Sequence, residues 1–254
     1  FVQGSDSWLD IDKWDALSSP ELAQEVTTDT PCHIGVDLAS TADITSVSLL
    51  FELPECTYSE VHHFVPSEAI ARGLAKDKGS IYGKMMDSEF VHIAPDSNVT
   101  DYNEIRRFIS GRHIDANGKL AEDADCIMSR YNVSGVYFDP WNATQIMTDL
   151  EHYDGVPCIA VRQGSLTMNP IVNELEARFL EGNFHHNGDP VLSWMASNVV
   201  LEMNGSGHRR PSKKKSGDKI DGMMAILNAL GGLMAAQIPE EDDSIPTDWV
   251  PRWV

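Results

Sequence analysis

Basic residues are scarce in this 254-residue chain: 19 Lys and Arg stand against 39 Asp and Glu, for a net charge of −20. That balance works against nonspecific attachment of the whole chain to nucleic acid. Contact with a polyanion must rest on a local basic patch or on bound cations. Cysteine is sparse as well. Cys32, Cys56, Cys126 and Cys158 form no CxxC pair and no zinc-ligand spacing, and read as free thiols in reducing surroundings. No hydrophobic run approaches the length of a membrane span, so no membrane partner is expected, and the first residues lack a signal-peptide pattern. The chain opens on Phe1 rather than Met, as a piece of a longer protein would. A phosphate loop is missing too. Gly79-Ser80-Ile81-Tyr82-Gly83-Lys84 is one residue short between its glycines, and Met85 stands where Ser or Thr would be needed. No nucleotide site and no ATP turnover are expected.

What is present is enough apolar sequence, 42% of the chain, to bury one core. The expected organisation is an N-terminal arm over 1–30, a domain over 31–237 and an acidic tail over 238–254. Trp8 and Trp14 mark the arm; Glu240, Glu241, Asp242, Asp243 and Asp248 mark the tail. The domain opens on Cys32-His33-Ile34-Gly35-Val36-Asp37-Leu38-Ala39-Ser40, whose alternating Ile34, Val36 and Leu38 predict a half-buried strand. Asp37 sits inside that apolar run. It is either a cap of the following turn or a metal ligand held on a core strand. Strands over 44–51 and 57–65 follow as an antiparallel meander, then a helix over 67–76 and helices over 101–113 and 121–131.

Val133 to Phe138 is a further apolar strand ending in Asp139-Pro140, with a helix from Ala143 to His152. In such strand–helix units ligands collect at the carboxyl end of the strand. A strand over 156–161, helices over 169–180 and 190–198, and a strand over 199–203 come next. Adjacent His185 and His186 point apart on an extended chain, which argues against a shared metal. The segment Arg209 to Lys219 gathers six bases, Arg209, Arg210, Lys213, Lys214, Lys215 and Lys219, against Asp218 alone. It is either a solvated loop or a phosphate contact. Asp218 is the expected N-cap of a closing helix that runs to about Ala236, with Asp221 one turn inside it.

The element order, three strands, then helix–strand, helix–strand and a closing helix, is that of an α/β ribonuclease H-like fold. This is a mixed sheet, antiparallel meander plus parallel strands, flanked by helices. Gly35-Val36-Asp37-Leu38-Ala39-Ser40 with Asp43, Tyr137-Phe138-Asp139-Pro140-Trp141-Asn142-Ala143, and Lys219-Ile220-Asp221-Gly222 with Ala225 resemble the nuclease half of the large terminase subunit of tailed bacteriophages. The resemblance covers roughly residues 1–236.

It implies a metal-dependent endonuclease that cuts concatemeric viral DNA during genome packaging, in the cytoplasm of the infected bacterial host. Asp37, Asp139 and Asp221 would be catalytic and would hold two Mg2+ or Mn2+ ions, with Asp43 and Asp218 as further candidates. Double-stranded DNA would be the substrate and the basic segment its contact. An ATPase domain, joined through the 1–30 arm, the portal and the small terminase subunit would be partners. Rival readings are another ribonuclease H-like nuclease such as a junction resolvase or transposase core, a non-catalytic packaging scaffold, and an actin-like ATPase. The missing glycine-rich loops count against the last.

Overall fold

The computed structural model describes residues 7–38, 43–76, 81–141 and 144–237. The 238–254 tail, Ala39 to Ala42 and Asn142-Ala143 of the motifs, and Gly79-Ser80 of the rejected phosphate loop lie outside these residues. In chain order come α1 (Ile11–Ala16), a 3-10 turn (Pro20–Gln24), β1 (Pro31–Asp37), β2 (Thr45–Glu52), β3 (Thr57–Pro66), α2 (Ser67–Lys76), α3 (Ile81–Asp87) and β4 (Val91–Ala94). Then follow α4 (Tyr102–Ser110), β5 (Arg112–Ile114), β6 (Leu120–Glu122), α5 (Ile127–Arg130), β7 (Asn132–Phe138), α6 (Thr144–His152) and β8 (Cys158–Ala160). The last part is α7 (Ser165–Glu181), β9 (Phe184–His186), α8 (Pro190–Asn198), the hairpin β10 (Leu201–Met203) and β11 (Arg209–Pro211), and α9 (Asp221–Ala236).

Among the described residues, seven strands form one mixed sheet in the order β4-β3-β2-β1-β7-β8, with β9 beside β3. β1, β2 and β3 are the antiparallel meander, while β7 and β8 run parallel to β1. This is the mixed sheet expected of the ribonuclease H-like class. β1 is central, and it departs from the half-buried strand that its alternation predicts. Ile34 and Val36 enter the core with Val47, Ile105, Ile109 and Met147. The alternate positions are not solvent-facing: His33, Gly35 and Asp37 are buried too. They lie under α9, whose residues Asp221 to Leu233 are all buried.

Gly35 makes that close packing possible. A Cβ there would overlap the Ala225 carbonyl and come within 2.9 Å of the Ala229 Cβ. Ala225 and Ala229 lie four residues apart, on one helix face, and so the helix and strand backbones nearly touch. The Asn228 side-chain amide, wholly buried on the same helix, donates to the Val36 carbonyl at 2.9 Å.

Three local expectations fail for identifiable reasons. The helix predicted over 121–131 shrinks to α5, because Leu120–Glu122 pairs with Arg112–Ile114 across a turn. In that turn Asp115 accepts the Asn117 and Lys119 amides, each at 2.9 Å. Side-chain acceptance of this kind competes with helix. α7 starts at Ser165, ahead of Asn169-Pro170, and carries Pro170 inside it. α9 starts at Asp221 with Ile220 at the cap position, so Asp218 is not its N-cap. The Asp218 carboxylate instead accepts the Lys219 amide at 3.0 Å.

The arm packs on the same body as the sheet. Trp14 is fully buried, stacked on His186 with ring centroids 4.5 Å apart. The Trp8 indole donates to Glu176 on α7 at 2.9 Å, and its amide donates to the Val199 carbonyl at 2.8 Å.

Candidate active site

Asp37 ends β1 and Asp221 begins α9, so the packing of strand on helix sets their spacing. Both are buried, 4% and 7% exposed. The Lys213 ammonium lies between them, 2.7 Å from Asp37 Oδ2 and 3.1 Å from Asp221 Oδ1. Burial pushes the Asp37 carboxyl up to about 7; Lys213 opposes the shift and the neighbouring Asp221 adds to it. For Lys213 burial works against the charge, but Asp37 and Asp221 outweigh it and hold the ammonium above its ordinary value. The second Asp221 oxygen, Oδ2, is buried without a hydrogen-bond partner.

Asp139 lies one residue beyond β7, whose Phe138 pairs with Val36 of β1. The two strand ends that carry Asp37 and Asp139 are therefore adjacent. Asp139 is half-buried, and its Oδ1 accepts the Trp141 amide at 3.2 Å, closing a turn. Trp141 itself is 87% exposed. Among the described residues, no three His, Cys, Asp or Glu side chains converge closely enough to hold a metal ion. The structure brings Asp37 and Asp221 together and leaves the Asp139 carboxylate in its own turn. Asp43 accepts the Ile44 amide at 2.8 Å and pairs with Lys219, while Asp218 is exposed.

The basic segment is less available than its composition suggests. Arg209 pairs with Glu176 at 2.6 Å and Arg210 with Glu202 at 2.8 Å. Lys213 is held by the two acids, Lys219 by Asp43, and Lys214 and Lys215 point outward as exposed residues. His185 and His186 are likewise engaged with the protein. His185 bonds Ser19 at 2.9 Å, and the two His186 ring nitrogens meet the Trp14 carbonyl and the Gly188 amide.

The family described as the terminase large subunit, endonuclease domain, matches residues 1–237. The chain belongs to that family. Its relatives include the large terminase subunit of Enterobacteria phage HK97, 25% identical over 231 residues that make up 89% of this chain and 43% of the relative. Another is the protein YmfN of Escherichia coli K12, 25% identical over 94% of this chain and 50% of the relative. The chain thus spans half or less of the length of these relatives. The crystal structure of the HK97 large terminase shares the fold, with a TM-score of 0.72 at 22% identity over 88% of this chain and 43% of that one.

In this terminase nuclease domain the donor chemistry fits a hard divalent cation. Asp37 and Asp221 offer carboxylate oxygens, the ligands that Mg2+ and Mn2+ prefer. An orphaned buried oxygen such as Asp221 Oδ2 is costly unless something satisfies it. The Lys213 ammonium already shows that a positive charge fits between the two.

Sequence reasoning missed the buried polar row beneath the acids. Ser46 is the register partner of Asp37, and His63 is the partner of Ser46. Ser46 Oγ meets His63 Nδ1 at 2.8 Å, and His63 Nε2 lies 3.3 Å from Asp189, which also accepts the Ser88 hydroxyl at 2.9 Å. The Asp189 carboxyl is opposed by its burial, yet His63, Ser88 and the Val191 amide hold it below its usual range. His63 supports the first turn of α9, since a Cβ on Gly222 would lie 3.0 Å from its ring. The alternation of Ser46 and Ser48 in an otherwise apolar strand was the available signal.

Proposed function

We propose that this domain is a divalent-metal-dependent endodeoxyribonuclease that cuts concatemeric viral DNA during packaging. The carrying observation is the buried Asp37–Asp221 pair with a cation between its oxygens, at the carboxyl end of the central strand, in a chain of the terminase endonuclease family. Asp139, on the adjoining strand end, completes the set, and the three acids hold two Mg2+ or Mn2+ ions. When bound, such ions would supply positive charge to the attacking and leaving oxygens of the phosphodiester.

The chain's own residues do the rest. The β1–α9 contact keeps Asp37 and Asp221 at fixed separation, and the Ser46–His63–Asp189 row braces the turn that presents Asp221. Lys214 and Lys215 meet the DNA backbone from the exposed turn after β11. Asp43 and Asp218 shape the chain around the site, Asp43 through Ile44 and Lys219. In this reading residues 1–30 link the domain to an ATPase motor, residues 31–237 are the nuclease, and 238–254 are a tail. The portal and small terminase subunit are the partners, and the host cytoplasm is the place of action.

A supercoiled plasmid incubated with the domain and Mn2+ should be nicked and linearised, and chelation should stop the reaction. D37N, D139N and D221N should each lower cleavage by at least about a thousandfold, on the scale of removing one charge-stabilising group or more. Cleavage that survives in all three variants, or in a chelator, would refute the assignment. If D139N alone keeps full activity, the set reduces to the two acids that the structure brings together.

A further inference from the structure

Lys213 sits where a cation is needed. It leaves the chain just after β11, on a turn pinned at both ends. The Ser212 hydroxyl donates to Glu202 at 3.0 Å, and the Ser216 hydroxyl accepts the Val200 amide at 3.1 Å. The Ser216 amide closes the turn on the Ser212 carbonyl at 2.9 Å. Both serines are buried, whereas the Lys213 side chain is half exposed, 51%. The acids it reaches are not: the Asp37 and Asp221 side chains are 5% and 10% exposed. A flexible four-carbon stem therefore enters from a fixed turn and places its ammonium against one oxygen of each acid.

Two like charges this close in a dry setting repel strongly, and an isolated buried carboxylate is costly. Asp37 and Asp221 need a counter-charge whenever no other cation is present, and Lys213 supplies it. A divalent ion between the same oxygens would compete for them and repel the ammonium. The stem can accommodate this by turning outward, because half of it already faces solvent.

We propose that Lys213 is a displaceable counter-ion of the active site: it holds Asp37 and Asp221 together without metal and is expelled when a divalent ion binds. This rests on the nuclease reading above. It assigns Lys213 a role distinct from that of Lys214 and Lys215, which lie in the same basic run but touch neither acid. Expelled, the ammonium stands at the mouth of the site, where a DNA phosphate arrives.

Two measurements on the intact domain test this. In the wild-type protein, reductive methylation followed by peptide mass spectrometry reads the reactivity of the Lys213 amine. It should be protected in chelator and become several-fold more reactive in saturating Mg2+, while Lys214 and Lys215 change little. Calorimetric titration with Mn2+ should show K213M binding about tenfold more tightly than wild type, a change of about 1.4 kcal/mol, and K213R binding like wild type. In chelator K213M should melt below wild type, and Mn2+ should raise its melting temperature by more. Unchanged Lys213 protection in Mg2+, or K213M binding Mn2+ no better than wild type, overturns the counter-ion role while leaving the nuclease reading intact. If neither protein binds Mn2+, the nuclease reading falls and takes this role with it.

Discussion

Asp37 is a strand residue whose side chain has no water to face, and its protonation is tied to folding. Its carboxyl rises from an ordinary 3.8 to about 7, with burial the main cause. A raised acid keeps its proton in the folded state after the unfolded chain has lost it. Its contribution to stability is therefore fully present below the unfolded value and is lost as pH rises through about 7. In the metal-free domain, D37N should be as stable as wild type at low pH. It should become progressively more stable than wild type between roughly pH 4 and pH 7. Denaturant titrations of both proteins across that interval check the sign, and parallel curves would exclude Asp37 as the titrating group. At this scale the sequence was informative about identity but not about partners. A carboxylate in an apolar run marked Asp37. Nothing in the linear pattern could show that Lys213 reaches it from 176 residues away.

Elements were legible where their reason is local. Alternation marked the strands of the meander, and the run of Ala, Met and Leu up to Ala236 marked the closing helix α9. Legibility failed where tertiary contact overrides local preference. Leu120 to Glu122 has helix-forming residues, yet it pairs with β5 because Asp115 and Gly118 build the turn between them. His33, Gly35 and Asp37 looked like the open face of β1 and are covered by α9. The same covering yields a sharp expectation at Gly35. Ala at this position would place a methyl group into the α9 backbone, which cannot give way as a side chain could. G35A should destabilise the domain by about 3 kcal/mol, at the upper end of ordinary overpacking, and chemical denaturation measures it. A loss below about 0.5 kcal/mol, the range of neutral surface changes, would show that β1 and α9 are not in backbone contact.

For the whole molecule, charge is the dominant constraint. The net charge of −20 opposes DNA, and four of the six bases in the Arg209–Lys219 segment are already paired with acids of the protein. Composition could show the basic run but not that Glu176, Glu202 and Asp43 would neutralise parts of it. The remaining pair, Lys214 and Lys215, should then carry much of the contact to the backbone. Replacing both with Ala should weaken DNA binding for all sequences alike and reduce the slope of log affinity against log salt by about 2. Binding measured in Ca2+ over a salt series tests this, and an unchanged slope would show that the turn does not meet phosphate.

Trp14 lies between Phe179, Phe184 and His186, and the His186 ring bonds the Trp14 carbonyl at 2.9 Å. β9, which carries His186, pairs with β3, and β3 joins β2 and then β1. A pull applied to the chain ahead of α1 thus loads the sheet that carries Asp37, instead of being taken up by slack in a tether. The arm is thus a handle on the sheet, and a force applied to it reaches the strand that carries Asp37.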